Sequence, residues 1–247
     1  LETNDTWLVT CEDKIWIDEN GQAHGSGIYL QPGCWPGCNQ PEVLPSKFSL
    51  LKTEPRQAVR RTLIDGTARQ LLFDFGQETM GYLVLHNAQG SIHIYYGESE
   101  AEALDKDHCE TLDHLDLYMR EKQYVLKDSK AFRFVRVEGE VENVSMLYEY
   151  LPLKYKGSFR CDDARVNKIW DVSARTLHLS TREFFLDGIK RDRWVWSGDA
   201  YQSYLMNYYT FADAPSVTRT IWALRGKDPV VRHLNTIVDY SFYWFNS

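Results

Sequence analysis

"LYEYLPLKYKGSFRCDDARVNKIWDVSARTLHL", residues 147–179, changes its hydrophobic period part-way along. Up to Pro152 apolar and polar side chains alternate, as they do where a strand buries one face. Beyond Gly157 the repeat lengthens to that of a helix. Val166, Ile169, Trp170, Ser173 and Leu177 share one helical face, and Asp162 or Asp163 is available to cap the N-terminus. The chain is therefore expected to switch from strands to helices near residue 155.

Towards the N-terminus the alternating runs continue through "VENVSMLYEYLP" (141–152), "AFRFVRVEGE" (131–140), "KQYVLK" (122–127) and "RQLLFDFGQ" (69–77). "GYLVLHNAQGSIHIYYGES" (81–99) reads as two strands, with Asn87 to Gly90 placed to turn a hairpin between them. So many short strands predict an antiparallel β-sandwich over residues 46–154. Residues 1–45 have no regular period and are rich in Gly, Pro and Trp. They read as an irregular arm or the end of a preceding domain.

Towards the C-terminus a second helix is expected from Ser197, carrying Tyr201, Tyr204, Leu205 and Tyr208 inward. A third begins near Pro215, shows Ile221, Trp222 and Leu224, and stops at Gly226. "HLNTIVDYSFYWF" (233–245) makes a fourth. Helix faces this aromatic are not satisfied by one another alone. Residues 155–247 thus read as the N-terminal part of a larger helical domain, and the fold class as α+β multidomain. No internal repeat or low-complexity stretch is present.

The 247 residues can bury a sizeable core. A net charge of -7 and a pI near 5.5 argue against nucleic acid or an anionic membrane as the main partner, since both need clustered Lys and Arg. No apolar run is long enough to cross a bilayer, and the start has no signal-peptide layout. Leu1 in place of Met suggests a processed form or a fragment, so localisation stays open, with periplasm or exterior possible. Of five cysteines, Cys34 and Cys38 alone are close, and no second pair stands at a zinc-site spacing. The histidines show no metal spacing, and neither a phosphate loop nor a nucleophile elbow occurs. No metal or cofactor is implied.

The chemistry concentrates in "DGIKRDRWVWSGDA", residues 187–200. Glycoside cleavage needs one carboxylic acid to protonate the leaving oxygen and a second carboxylate to activate water or attack carbon. It also needs donors and acceptors for hydroxyls and flat faces for the apolar side of the ring. The stretch supplies Asp187, Asp192 and Asp199, Arg191 and Arg193, Trp194 and Trp196. The same composition also suits a loop in which aspartates pair with arginines and tryptophans anchor it to the core. Ser197 and Asp199 equally suit the N-cap and first turn of the second helix.

The spacing Asp187-x-x-x-Arg191-Asp192-Arg193-x-x-Trp196-x-Gly198-Asp199 resembles the acidic signature of bacterial α-L-rhamnosidases, glycoside hydrolase family 78. "LFDFGQETMGYLVL" (72–85) with "IYYGES" (94–99) is similar to the β-sandwich that precedes the catalytic domain there. "FRFVRVEG" (132–139) and "GSFRCDDARVNKIWDVSARTL" (157–177) resemble the strand and first helix leading into it. The resemblance implies an inverting hydrolase removing terminal α-L-rhamnose, with rhamnose-containing glycosides or polysaccharides as partners and the active site in an (α/α)6 barrel. By position, Asp192 corresponds to the general acid. Asp187 and Asp199 correspond to sugar-binding groups, Arg191 flanks them, and Trp194 or Trp196 lines the pocket. Many members carry a Glu-containing form of the central motif, where this chain has the shorter Asp192. The family's general base is a Glu further downstream than this chain reaches. Two other classes fit the residues: a non-catalytic carbohydrate-binding module with a structural acidic loop, and an interaction scaffold.

Overall fold

The computed structural model describes residues 8, 15–17, 22–25, 27–29, 50–64, 66, 69–225 and 233–247. Cys34, Cys38, most of the opening arm and the stop at Gly226 lie outside them. Two compact units divide the chain. In the first, Leu1–Leu44 with Gly226–Val231, a ribbon pairs β1 (Ile15–Ile17) with β2 (Ala23–Gly25) antiparallel. The second, Pro45–Arg225 with Arg232–Ser247, holds the main sheet and all the helices described.

The sheet has six antiparallel strands: β3 (Lys52–Gln57), β4 (Arg60–Leu63), β5 (Gln70–Gly97), β6 (Thr111–Val125), β7 (Lys130–Glu140) and β8 (Asn143–Tyr150). Its shape follows from β5. Residues 70–74 and residues 93–97 of that strand both pair with residues 134–138 of β7. β7 thus lies between the two ends of one strand, which requires β5 to curl back on itself. The inward alternation of Leu71, Phe73, Leu83, Leu85, Ile92, Ile94 and Tyr96 fills the curl, against Phe132, Val135, Val144 and Met146.

The hairpin expected at Asn87–Gly90 does not form. β6 pairs with β5 on both sides of it, from Val84↔Val125 to Tyr96↔Thr111, with a register shift between Ala88 and Gly90. Asn87 and Gly90 do take positive φ, 49° and 80°. A bulge uses that conformation as readily as a tight turn does. The long partner strand holds both halves in line, so the chain bends there without reversing.

After Tyr150 the chain crosses to the helices. The first of these is α2 (Ala164–Ser180), the earlier α1 (Glu100–Leu104) being a single short turn between β5 and β6. Of the two candidate caps, Asp163 is used: its carboxylate accepts from the Arg165 N–H at 2.8 Å. Arg175 donates to the Glu78 carbonyl at 2.5 Å and His178 meets the Leu151 carbonyl at 2.8 Å, which seats α2 on the sheet. α3 (Ser197–Tyr209), α4 (Ala214–Arg225) and α5 (Val238–Phe245) follow. Their shared core is Leu177, Phe185, Ala200, Tyr204, Phe211 and Leu224.

The expected helix faces are only partly covered. Leu177 and Tyr204 are buried, but Ile169 is 63% exposed and Tyr208 63% exposed, and Leu205 and Trp222 also face outward. Phe245 on α5 is 75% exposed. The described helices cover α3 along Ala200–Tyr204 and leave its remaining apolar positions in solvent. No helix among the described residues is long and apolar enough to cross a membrane.

Candidate active site

Residues 181–196 join α2 to α3. The loop leaves α2 on a fixed course because Arg182, largely buried, donates to the Glu149 carbonyl at 2.6 Å and pairs with the Glu149 carboxylate on β8. Thr181 and Phe185 form an isolated bridge, and the Leu186 N–H returns to the Ser180 carbonyl at 2.9 Å. Asp187 then closes the outer part of the loop. Its N–H donates to the Trp194 carbonyl at 3.1 Å, and its Oδ1 accepts from the Trp194 N–H at 2.9 Å.

Between these ends stand two consecutive non-glycine residues in the left-handed region, Asp192 (φ 54°) and Arg193 (φ 52°). Such a conformation costs of order 1 kcal/mol or more per residue and persists only where the surroundings impose it. Arg193 supplies the restraint. Its Nε donates to the Ile189 carbonyl at 2.7 Å and its Nη1 to the Ser129 carbonyl at 2.7 Å. Asp192 is left exposed at the apex, and its carboxylate makes no hydrogen bond or ion pair with any described residue.

The cations around it go elsewhere. Arg191 faces Glu110 at 3.6 Å, and Lys190 pairs with Glu102, with Glu110 at 3.7 Å. None of the three aspartates pairs with Arg191 or Arg193, so the loop is not braced in the way an ion-paired reading requires. Trp194 is 60% exposed, while Trp196 is half-buried edge-on to Tyr240, ring centroids 6.0 Å apart. Ser197 is not the cap of α3. Trp196 holds that position with no side-chain hydrogen bond, and Ser197 is the first helical residue. Asp199 does sit in the first turn, where the helix dipole favours a carboxylate, and its Oδ2 accepts from the Tyr240 hydroxyl at 3.4 Å.

One perturbed acid has no signal in the sequence. Glu78 lies where β5 shifts register between Asp74 and Thr79, and both its carboxylate oxygens are shielded from solvent without a hydrogen-bond partner. Burial, then the nearby Glu98 and Glu102 charges, push its pKa up to about 8. It lines a cleft of about 630 Å³ between β5 and α2 with Arg133, Lys168, Asp171, Arg175 and Ile189. The burial that dominates the shift, and the charges that add to it, come from tertiary packing, which local sequence does not reveal. Among the described residues no cluster of His, Cys, Asp or Glu could hold a metal ion.

The family of α-rhamnosidase-like N-terminal regions from bacteroidetes matches residues 1–137, and the bacterial α-L-rhamnosidase six-hairpin glycosidase domain matches residues 154–231. The chain belongs to the α-rhamnosidase-like family. The six-hairpin match contains the whole acidic loop, so the resemblance carried by the four sequence blocks holds at the level of family. Among solved structures, a rhamnosidase from Klebsiella oxytoca with rhamnose bound aligns with a TM-score of 0.67 at 19% identity, over 80% of this chain and 51% of that one. The family 78 rhamnosidase of Bacillus sp. GL1 aligns at 0.56 and 22% identity, over 72% of this chain and 21% of its own. The α-L-rhamnosidase of Streptomyces avermitilis complexed with L-rhamnose aligns at 0.53 and 18% identity, over 71% and 18%. At such identities the likeness is one of fold: a mixed α/β architecture with a curled antiparallel sheet. This rhamnosidase-family chain spans about half of the length of the first of those structures and about a fifth of the other two. No match was found among curated proteins.

Proposed function

We infer that this chain carries the acid half of an inverting α-L-rhamnosidase site, with Asp192 as the general acid. The observation behind this reading is the apex itself: a strained backbone, restrained by Arg193, presents one exposed carboxyl that no described residue neutralises. Conformational strain held in place at a loop tip is characteristic of functional positions. A proton delivered from Asp192 to the glycosidic oxygen would let the aglycone leave as an alcohol, while water attacks the opposite face of the sugar. Asp187 uses Oδ1 within the loop and keeps Oδ2 for a sugar hydroxyl, and Asp199 has acceptor capacity beyond the Tyr240 contact. The exposed Trp194 ring and the edge of Trp196 offer flat faces for the apolar side of rhamnose, with Arg191 beside them.

The water-activating base would be a Glu outside residues 1–247, in helices completing an (α/α)6 barrel. The exposed apolar faces of α2, α3 and α5 support that completion. In this organisation residues 1–45 form an arm or the end of a preceding domain, 46–154 the β-sandwich domain, and 155–247 the start of the catalytic domain. The substrate would be a glycoside or polysaccharide ending in α-L-rhamnose.

The test is direct. Residues 1–247 expressed alone should not appreciably hydrolyse an aryl α-L-rhamnoside, whereas the full-length protein should. Turnover by the fragment comparable to that of the full-length protein would overturn the placing of the base. A full-length protein that leaves the rhamnoside intact would overturn the substrate.

A further inference from the structure

The acidic loop ends where α3 begins, and that junction is held by a segment well downstream. Asn235 lies in the short 3-10 turn Leu234–Thr236, with φ 51°, a conformation Asn accepts more readily than most residues. Its amide bonds the main chain on both sides of Trp196. Oδ1 accepts from the Ser197 N–H at 2.9 Å, and Nδ2 donates to the Val195 carbonyl at 3.0 Å. The Ser197 N–H is one of the donors that a helix start leaves without an intrahelical partner, so Asn235 caps α3 from outside the loop.

Tyr240 completes the clasp. Its carbonyl accepts from the Ser197 hydroxyl at 2.9 Å, and its ring stands edge-on to Trp196 and closes over Gly198. A Cβ at Gly198 would lie 2.8 Å from Tyr240 Cε1, so a glycine there permits the approach. The ring's hydroxyl then donates to Asp199 Oδ2. Burial and the Asp199 charge raise the Tyr240 pKa, so the hydroxyl remains a donor through the neutral range.

We propose that Asn235 and Tyr240 are positioning residues of the rhamnose site: Asn235 sets the backbone course around Trp196, and Tyr240 aims the Asp199 carboxylate. The proposal rests on the reading of Asp199 and Trp196 as sugar-binding groups. A carboxylate in the first turn of a helix can rotate freely unless something holds it. With Oδ2 engaged by Tyr240, Oδ1 is oriented in advance to accept from a sugar hydroxyl, which reduces the ordering cost of binding.

The experiment measures rhamnoside hydrolysis and melting temperature for the full-length enzyme and its Tyr240→Phe, Asn235→Ala and Asp199→Asn variants. Tyr240→Phe keeps the ring and removes only the hydroxyl. It should leave the melting temperature essentially unchanged and raise KM roughly two- to tenfold, the worth of one hydrogen bond. Its kcat should stay within about twofold, because the contact serves ground and transition states alike. Asn235→Ala should raise KM further, since it releases Trp196 and Asp199 together. An unchanged KM in Tyr240→Phe beside a raised KM in Asp199→Asn overturns the positioning role alone. An unchanged KM in Asp199→Asn overturns the sugar-site reading beneath it. A lowered melting temperature with unaltered kinetics in Asn235→Ala would make that residue purely structural and also overturn the proposal.

Discussion

Arg193 reaches from the apex of the acidic loop to Ser129 at the turn between β6 and β7, donating from Nη1 to the Ser129 carbonyl at 2.7 Å and to its hydroxyl at 3.4 Å. A helix-to-helix loop is thereby tied to the sheet. Arg193→Met retains much of the apolar stem and loses three donor contacts, so the left-handed pair at 192–193 should relax. Charge-assisted bonds to half-buried carbonyls contribute about 1.5–3 kcal/mol each at most, so a loss of about 2–3 kcal/mol overall is expected, read as a lower melting temperature. Unchanged stability would mean that the apex is not held by this contact.

Asp192→Asn should have the opposite profile. The carboxylate has no partner among the described residues, and Asn tolerates a positive φ, so the melting temperature should not fall. In the full-length enzyme, turnover of a rhamnoside with a poor leaving group should drop by roughly 10²- to 10⁴-fold, the usual contribution of acid catalysis. An activated aryl leaving group needs less protonation and should lose less. Equal losses on both substrates together with lowered stability would remove Asp192 from the acid role.

Glu78 predicts a pH dependence of stability. Its pKa in the folded chain, about 8, stands above its ordinary 4.5, so folding favours the protonated form. That contribution is fully present below pH 4.5 and is lost as pH rises through about 8, because the buried carboxyl must then ionise beside Glu98 and Glu102. Denaturant titrations should show stability falling by on the order of a few kcal/mol over that window. Glu78→Gln should flatten most of the slope. A Gln variant whose slope matches that of the parent would show that Glu78 is not the titrating group.

Gly157 is where the crossing chain presses on the end of α3. Its N–H and that of Lys156 both donate to the Thr210 carbonyl at 2.8 Å, and a Cβ there would lie 1.8 Å from the Tyr209 carbonyl oxygen. Backbone meets backbone, so no side chain can rotate away. Gly157→Ala should cost about 2–3 kcal/mol or more, as overpacking against main chain does. A melting temperature within error of the parent would contradict the close approach.

What depends on near neighbours was legible in the sequence. The change of period near residue 155, the aspartate cap of α2, the start of α3 around Ser197 and the place of the acidic loop between two helices all follow from side chains a few positions apart. Tertiary structure decided where distant partners meet. Asn87–Gly90 carries the residues of a tight turn, yet β6 holds both flanks of β5 in one line and makes it a bulge. Asp192 lies between two arginines, yet Arg193 is drawn to Ser129 and Arg191 to Glu110, which leaves the acid unpaired by either. Tyr208 looks inward on a helical wheel, yet the described neighbours of α3 leave it in solvent. Glu78 became a perturbed acid because tertiary packing buries its carboxyl and brings Glu98, just past β5, and Glu102 of α1 near it. Periodicity along a chain states which faces want burial and which torsions are tolerated. Which cation, strand or acid arrives at each is set by packing between segments far apart in sequence, and local pattern has no term for that.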